Sequence, residues 1–292
     1  MKYLLIPFMC VMAVLKITLQ SGFSKKSDKN LYDSVFYNML MFLMAGVFFS
    51  PFLLNGSIER LTLIQGIIMG ILSVVFQFFY ICAFSKGKMT LTVIINNFSM
   101  LLPIGVSYYM FNEPIGFMKS IGILLALVSL VLVTAKGKKE SIAKKSDNML
   151  WLACMVLVFL SNGFISINQK IYSKTAPNFQ VFAFVAIAYI SATVISAVIL
   201  IAMKLLNHQN KSKLNSKMLI SGASAGVIIG IFQCLNTYAA SVIDGAVLYS
   251  SYNCATSILS AVVGRVLFKE RLSKKQFVGV LIGIGSIVFL CI

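Results

Sequence analysis

The sequence predicts an all-α membrane protein with ten transmembrane helices, arranged as two inverted five-helix repeats. Of its 292 residues, 59% are hydrophobic and only 11% are charged, and the mean hydropathy is +0.92. A soluble domain of this size carries roughly a quarter charged residues. Apolar segments of about 20 residues, the length that crosses a bilayer, recur along the chain. Residues 71–135 align without a gap with residues 228–292, which indicates an internal duplication.

Ten apolar segments, separated by short polar connectors, are the predicted spans. They cover residues 3–23, 34–54, 62–84, 89–111, 115–135, 149–169, 179–204, 216–240, 245–268 and 274–292. The longest connector, residues 136–148, separates a first repeat at 1–135 from a second at 149–292. Because five is odd, the second repeat must enter the membrane in the opposite orientation, related to the first by a pseudo-two-fold axis in the membrane plane.

The net charge of +17 does not predict a nucleic-acid partner, because the basic residues lie in connectors rather than on one face of a domain. Most of the 25 Lys and Arg residues follow the first, third, fifth, seventh and ninth segments. The positive-inside rule places those connectors in the cytoplasm of a bacterial-type plasma membrane and both chain ends outside.

Motifs for metal, redox or nucleotide chemistry are missing from the sequence. The six cysteines lie in apolar segments without metal-ligand or redox spacing, and the single histidine, His208, lies in a connector. The chain has no P-loop and no H-E-x-x-H. We therefore predict no cofactor, no metal site and no enzymatic activity.

Asn96 and Asn253 occupy equivalent positions of the two repeats, about eight residues or about 12 Å inside their segments. Since these segments start from opposite faces, both amides come near the midplane, where inverted-repeat transporters bind their solutes. Interhelical hydrogen bonding is the structural alternative. Pro103 is expected to bend the fourth segment.

Other polar and aromatic side chains lie inside the predicted spans. The candidate solute-binding residues are Lys16, Gln20, Gln77, Tyr80, Asn96, Asn97, Asn162, Gln233, Asn236, Tyr249, Tyr252 and Asn253. Gln169 and Thr237 add polar atoms to the same segments. A lining of amides, hydroxyls and aromatic rings suits an uncharged or zwitterionic organic solute better than a bare metal ion.

Lys16 is the one basic residue that the predicted boundaries place well inside a span. Two interpretations are open. Its long stem can carry the ammonium group toward the cytoplasmic end, or the charge can serve as a partner for a solute carboxylate or phosphate, or titrate during transport. Gln20 follows one turn later on the same face.

All eight Asp and Glu residues lie in connectors or at span ends. Glu113 and Glu270 are equivalent in the repeats, but the topology places them on opposite faces, about 30 Å apart. Each precedes a helix start, where a carboxylate stabilises the helix dipole. Pumps that exchange protons for cationic drugs commonly use a buried acid, and none is predicted here.

Small residues four positions apart also recur, as in Gly66 and Gly70 of the third segment and in Gly222, Gly226 and Gly230 of the eighth. Such spacing lets helix backbones approach closely in lipid. Packing within a monomer and a homodimer face are both compatible with it.

Several short motifs resemble the EamA-type repeat of the drug/metabolite transporter superfamily. The first copy contributes Ala83-Phe84, Asn96, Pro103, Phe111-Asn112-Glu113-Pro114, Gly122 and Ser129; the second contributes Leu267-Phe268-Lys269-Glu270-Arg271-Leu272, Gln276 and Gly279-Val280-Leu281-Ile282-Gly283. The resemblance implies a ten-helix secondary transporter that works by alternating access. Members carry amino acids, other metabolites, nucleotide-linked sugars or drugs. The small multidrug members use a buried glutamate in their first span, where this chain has Lys16 and no acid.

The leading functional prediction is a carrier of small organic metabolites, amino-acid-like or otherwise polar, that exports them as one repeat rocks against the other. A proton or solute gradient would drive it. A multidrug efflux carrier is the second prediction. A non-transporting membrane receptor or assembly protein is an alternative from another class, and it would tolerate the joint replacement of Asn96 and Asn253 by Leu.

Overall fold

The computed structural model describes residues 2–24, 31–54, 56–86, 96–134, 145–206, 216–268 and 274–291, and these ranges contain helices and no strand. Their ten α-helices are α1 (Leu5–Ser24), α2 (Leu31–Phe49), α3 (Arg60–Lys86), α4 (Leu101–Phe111), α5 (Phe117–Thr134), α6 (Lys145–Thr175), α7 (Val181–Leu206), α8 (Ser216–Val242), α9 (Gly245–Phe268) and α10 (Lys274–Cys291). Short 3₁₀ turns precede α1 and follow α2. One helix corresponds to each predicted apolar segment.

Five stretches in the described part are long and apolar enough to cross a bilayer: Tyr32–Leu53, Arg60–Tyr80, Trp151–Thr175, Val181–Leu206 and Leu219–Val242. Two shorter apolar helices cover Leu5–Lys16 and Phe117–Leu132. Large apolar side chains such as Val194, Val198 and Leu281 are exposed on the outside of the molecule, as expected where lipid is the solvent. These lengths and exposed apolar surfaces are those of a multi-pass membrane protein.

Corresponding helices of the two repeats pack against each other and run in opposite directions. In the α2–α7 pair, the rings of Phe42 and Tyr189 are 5.7 Å apart and those of Phe49 and Phe182 are 6.0 Å apart. The sequence position therefore rises on α2 as it falls on α7. In the α5–α10 pair, the Ser129 hydroxyl donates to the Gly279 carbonyl at 2.8 Å, and Gly122, earlier on α5, lies against Leu290, later on α10. The helices of the second repeat are thus inverted relative to the first.

Several further contacts between helices of different repeats have a counterpart in which the equivalent helix of the other repeat takes the same role. Helix α3 packs on α6 and α7, and its counterpart α8 packs on α1 and α2. Helix α1 packs on α9, as α6 packs on α4. These pairings are what a two-fold axis perpendicular to the helices produces, because such an axis carries each repeat onto the other.

The glycine motifs lie at close helix–helix contacts within the chain. A Cβ atom on Gly70 of α3 would lie 2.5 Å from the Ala188 carbonyl oxygen of α7, and one on Gly226 of α8 would lie 2.4 Å from the Met41 carbonyl oxygen of α2. Only glycine allows backbones to approach this closely. For these motifs, packing within the monomer therefore accounts for the spacing.

The fourth predicted span departs from a regular helix. Residues 96–98 form a helical turn, Ser99 and Met100 form a turn, and α4 begins at Leu101. Pro103 has no N–H with which to reach the Ser99 carbonyl, and the Leu102 N–H donates to that carbonyl instead, at 3.1 Å. The backbone is therefore tighter at Ser99, one turn before Pro103, and the bend that the sequence predicts stays a prediction.

Candidate solute site between α4, α6, α8 and α9

Four buried side chains on α6 and α8 form a connected set that we call the glutamine cluster: Gln169, Gln233, Asn236 and Thr237. The Gln169 amide nitrogen donates to the Gln233 side-chain oxygen at 2.8 Å and to the Thr237 hydroxyl at 3.0 Å, and its oxygen accepts from the Asn236 amide at 2.8 Å. The three α8 residues share a face because they are spaced by three and four positions. Of the two predicted candidates here, Gln233 and Asn236, both bind Gln169.

A second set joins α4 of the first repeat to α6 and α9 of the second. This asparagine cluster consists of Asn96, Asn97, Ser99, Asn162 and Ser257. The Asn162 amide donates to the Ser99 hydroxyl at 2.7 Å and to the Asn96 carbonyl oxygen at 3.4 Å, and the Asn97 amide donates to the Ser257 hydroxyl at 3.2 Å. The cluster therefore holds the tightened turn of α4 in place.

The two clusters lie at different depths. We call one end of the molecule the outer end, after the orientation predicted by the lysines; it carries the connectors that follow α2, α4, α6 and α8. Along α6, Asn162 lies about 20 Å from the helix C-terminus at that end, and Gln169 lies about 9 Å from it, at 1.5 Å per residue. The asparagine cluster is thus near mid-helix, and the glutamine cluster is nearer the outer end.

Several buried polar atoms in this region have no hydrogen-bond partner in the described part of the chain: the Asn96 side-chain oxygen, the Ser107 hydroxyl on α4, and the Ser250 and Ser251 hydroxyls on α9. Gln77 on α3 is buried and likewise makes no hydrogen bond with the described residues. Buried polar groups are normally paired, so each unpaired one calls for a ligand, a water molecule or a functional reason. Unpaired amide and hydroxyl groups can bind an uncharged or zwitterionic solute.

The remaining predicted residues are more dispersed. The Asn253 amide donates to the Tyr249 carbonyl of its own helix at 2.8 Å, and no hydrogen bond joins Asn253 to Asn96. The Tyr249 hydroxyl donates to the Ser166 carbonyl at 3.1 Å. The Tyr252 ring packs on Phe232 with centroids 5.4 Å apart. The equivalent asparagines of the two repeats therefore have different partners.

Three further predicted residues, on α1 and α3, also lie outside both clusters. Lys16, half-buried on α1, makes no ion pair or hydrogen bond with the described residues. The Tyr80 ring on α3 stacks on Phe76, with centroids 5.2 Å apart. The backbone of Gln20 belongs to α1, and its side chain lies outside the described part.

The sequence prediction missed Lys170. The predicted sixth span ends at residue 169 and leaves Lys170 in a connector, but α6 continues to Thr175 and the Lys170 side chain is 0% exposed. Its ammonium group lies 2.6 Å from a Glu113 oxygen and donates to the Ala240 and Ile243 carbonyls at 3.0 and 3.1 Å. The signal was present in the sequence, because Pro177 is the first helix-breaking residue after Gly163.

Glu113 also differs from its expected role. A carboxylate just before α5 was expected to stabilise the start of that helix. Instead, its second oxygen accepts a hydrogen bond, 2.7 Å long, from the backbone N–H of Gly245. Gly245 is the first residue of α9. The helix-dipole argument therefore applies to α9 of the other repeat. Glu270, the equivalent residue, lies outside the described residues.

A cavity of about 510 Å³ opens at the outer end between the connector after α2, the start of α7 and α8. Its walls are mainly aromatic and aliphatic, with Phe52, Phe179, Phe182, Leu235 and Tyr238 among them. None of the predicted candidate residues lines it. Since its walls are mainly apolar, the polar clusters, and not this cavity, are the candidate solute site.

Comparison with known proteins identifies the family. A sequence model of the EamA-like transporter family matches residues 4–135 and 149–292, so the chain belongs to that family, within the drug/metabolite transporter superfamily. The proteins of this family are membrane transporters and not enzymes. The resemblance seen in its motifs is confirmed.

Two other proteins are similar to this chain. An uncharacterized protein of Haemophilus influenzae is 23% identical over 191 residues, which is 65% of this chain and 62% of that protein, so the match spans less than two thirds of the relative's length. One solved crystal structure superposes with a TM-score of 0.75 at 14% identity, covering 97% of this chain and 98% of the other. That likeness shows a shared fold.

Proposed function

We propose that this transporter carries small uncharged or zwitterionic organic solutes, such as amino-acid-like metabolites, across a bacterial-type plasma membrane by alternating access. All ten helices span the bilayer in this proposal, with both chain ends outside, and the direction is export. The transport unit is a single chain, because the glycine motifs are used inside it. A proton or solute gradient drives the movement.

The unpaired Asn96 side-chain oxygen carries this proposal. It belongs to a turn that Asn162 holds from the other repeat, so it lies where the two repeats meet at mid-helix. Inverted-repeat transporters bind their solutes at such positions, at irregular turns within a span. A free amide oxygen accepts a hydrogen bond from an amino, amide or hydroxyl group of a solute, and it does so without a net charge.

Multidrug efflux is the second candidate. It predicts broad selectivity for aromatic cations and a buried acid that binds them. In the described part of the chain, the asparagine and glutamine clusters consist of amides and hydroxyls. Glu113, whose partner Lys170 follows Gln169 on α6, is already paired. A neutral or zwitterionic solute therefore fits this lining better.

The proposal is tested by uptake into proteoliposomes with a panel of amino acids, nucleosides and dye cations, each with and without a pH step. We expect uptake of one amino-acid-like or similarly polar class, and we expect Asn96→Ala to lower it at least about tenfold, the change that a 1.4 kcal/mol loss produces. Ser224→Ala is the control, because the exposed Ser224 hydroxyl donates to the Ile220 carbonyl of its own helix. Uptake of dye cations alone would favour efflux, and equal rates for both variants would exclude Asn96 from the site.

A further inference from the structure

The outer end of the molecule is held together by bonds between the two repeats. Glu113 belongs to the first repeat, and its partners Lys170, Lys174 and Gly245 all belong to the second, at 2.6, 3.8 and 2.7 Å. A second ion pair, between Lys119 and Asp244 at 2.8 Å, also joins the repeats.

The connectors after α2 and α6 are joined in the same way. The Gln180 side chain donates to the Ser57 carbonyl at 3.0 Å and accepts from the Glu59 N–H at 3.2 Å, and the Asn178 amide donates to the Glu59 carboxylate. Each connector described at this end therefore contributes a bond to the opposite repeat.

The Glu113–Lys170 pair is the most buried of these contacts. Lys170 is 0% exposed and Glu113 is 12% exposed, whereas Lys119 and Asp244 are 20% and 46% exposed. The three donors of the Lys170 ammonium are all used, by Glu113 and by the Ala240 and Ile243 carbonyls. If Glu113 leaves, the ammonium keeps two carbonyls and loses its ion-pair partner, so water has to enter to solvate the buried charge.

The pair also lies directly above the glutamine cluster. Lys170 follows Gln169 on α6, and the two carbonyls it binds, those of Ala240 and Ile243, lie about one turn and about two turns further along the chain than Asn236 and Thr237. Any path from the clusters to the outer end between α6 and α8 therefore passes this ion pair.

We propose that the Glu113–Lys170 ion pair is the latch that keeps the outer end of the transporter closed. Solute reaches or leaves the clusters through this end only when Glu113 separates from the corner formed by α6, α8 and α9. Separation admits the water that solvates Lys170, so opening and hydration of this end occur together. The inference rests on the proposed alternating access and names its outer gate.

Hydrogen–deuterium exchange of the protein in lipid nanodiscs tests the latch. Glu113→Gln leaves a buried ammonium without a counter-ion and can prevent folding, so the main variant is the double substitution Glu113→Gln with Lys170→Met, which removes both charges. We expect residues 241–248 to exchange about tenfold faster or more in this variant, because a hydrogen bond to a charged group contributes that much to closure. The control is Lys119→Met, which breaks the less buried Lys119–Asp244 pair at the same end and should change exchange there by less than about twofold.

Residues 183–192 of α7 serve as the internal reference. Faster exchange at 241–248 with an unchanged α7 supports the latch. Unchanged exchange at 241–248, or equally faster exchange in α7, would overturn it, since the pair would then be dispensable or needed only for folding. This measurement needs no solute. A failure of the proposed function would appear separately, as a wild-type protein that moves no member of the proteoliposome panel.

Discussion

Gln169 is the residue on which the polar side chains of α8 converge. Its amide makes three hydrogen bonds in a region that water does not reach. The sequence predicted Gln233 and Asn236 as site residues from their depth in an apolar segment. It could not reveal that Gln169 lies at their centre, because the rotation of α6 relative to α8 is set by packing across the whole interface. Lys170 was missed for a simpler reason, an assumed span end one residue before it.

At this scale, we expect Gln169→Leu to destabilise the protein by about 2 kcal/mol, since interhelical hydrogen bonds average about 0.6 kcal/mol each and three are lost. Thermal unfolding in detergent measures the change. Thr193→Val is the matched control, because the Thr193 hydroxyl bonds only to the Tyr189 carbonyl of its own helix. Equal shifts in both variants would show that the glutamine cluster adds no stability beyond an ordinary helical side chain.

The start of α4 is shaped by Pro103. Pro103 removes one backbone donor, the span tightens at Ser99, and Asn162 binds the tightened turn. A bend near Pro103 was predictable because proline has the same effect in any helix. That Asn162 would be its partner was not predictable, since the two residues belong to different repeats.

We expect Pro103→Ala to restore a regular helix, to reposition Asn96 and to lower solute uptake, with little loss of folded protein. Uptake and yield after size-exclusion chromatography are measured together. Pro177→Ala, in an exposed connector, is the control. Uptake equal to that of the wild type would mean that the turn at Ser99 does not position the site.

The close helix pairs give a second prediction at the element scale. Gly70→Ala places a methyl group 2.5 Å from the Ala188 carbonyl oxygen, so α3 and α7 must separate, and we expect a loss of about 1 to 3 kcal/mol. Gly105→Ala is the control, because nothing lies within 4 Å of a Cβ at that position. If Gly70→Ala is as stable as the wild type, Gly70 has no packing role between α3 and α7. If Gly70→Ala dissociates a dimer without lowering the stability of the chain, the homodimer interpretation is supported.

In the whole molecule, the main contacts run between the repeats rather than within them. One apolar core combines α2 and α3 with α6, α7 and α8, and a second combines α1, α4 and α5 with α8 and α9. The number of repeats and their inversion could be read from the alignment and the odd segment count. The pairing of α2 with α7 and of α3 with α6 could not, because apolar surfaces of similar composition do not specify partners in lipid.

We expect residues 1–135 and 149–292, produced as separate chains in one cell, to assemble into a complex that survives purification. The buried surface between them is that of a core, so the connector is not needed to hold them together. Co-purification through a tag on one chain measures this, and each chain expressed alone is the control. Recovery of a stable first chain by itself would contradict the shared cores.

The Thr62–Tyr172 hydrogen bond, 3.0 Å long and buried between α3 and α6, has a consequence for biosynthesis. Thr62 leaves the ribosome more than a hundred residues before Tyr172. Until then, its hydroxyl faces lipid or a temporary partner, and the same holds for every surface of the first five helices that α6 to α10 later cover. The first five helices must therefore stay in the membrane without their final contacts until the second repeat has been synthesised. During that time the insertion machinery or neighbouring lipids must cover their polar groups.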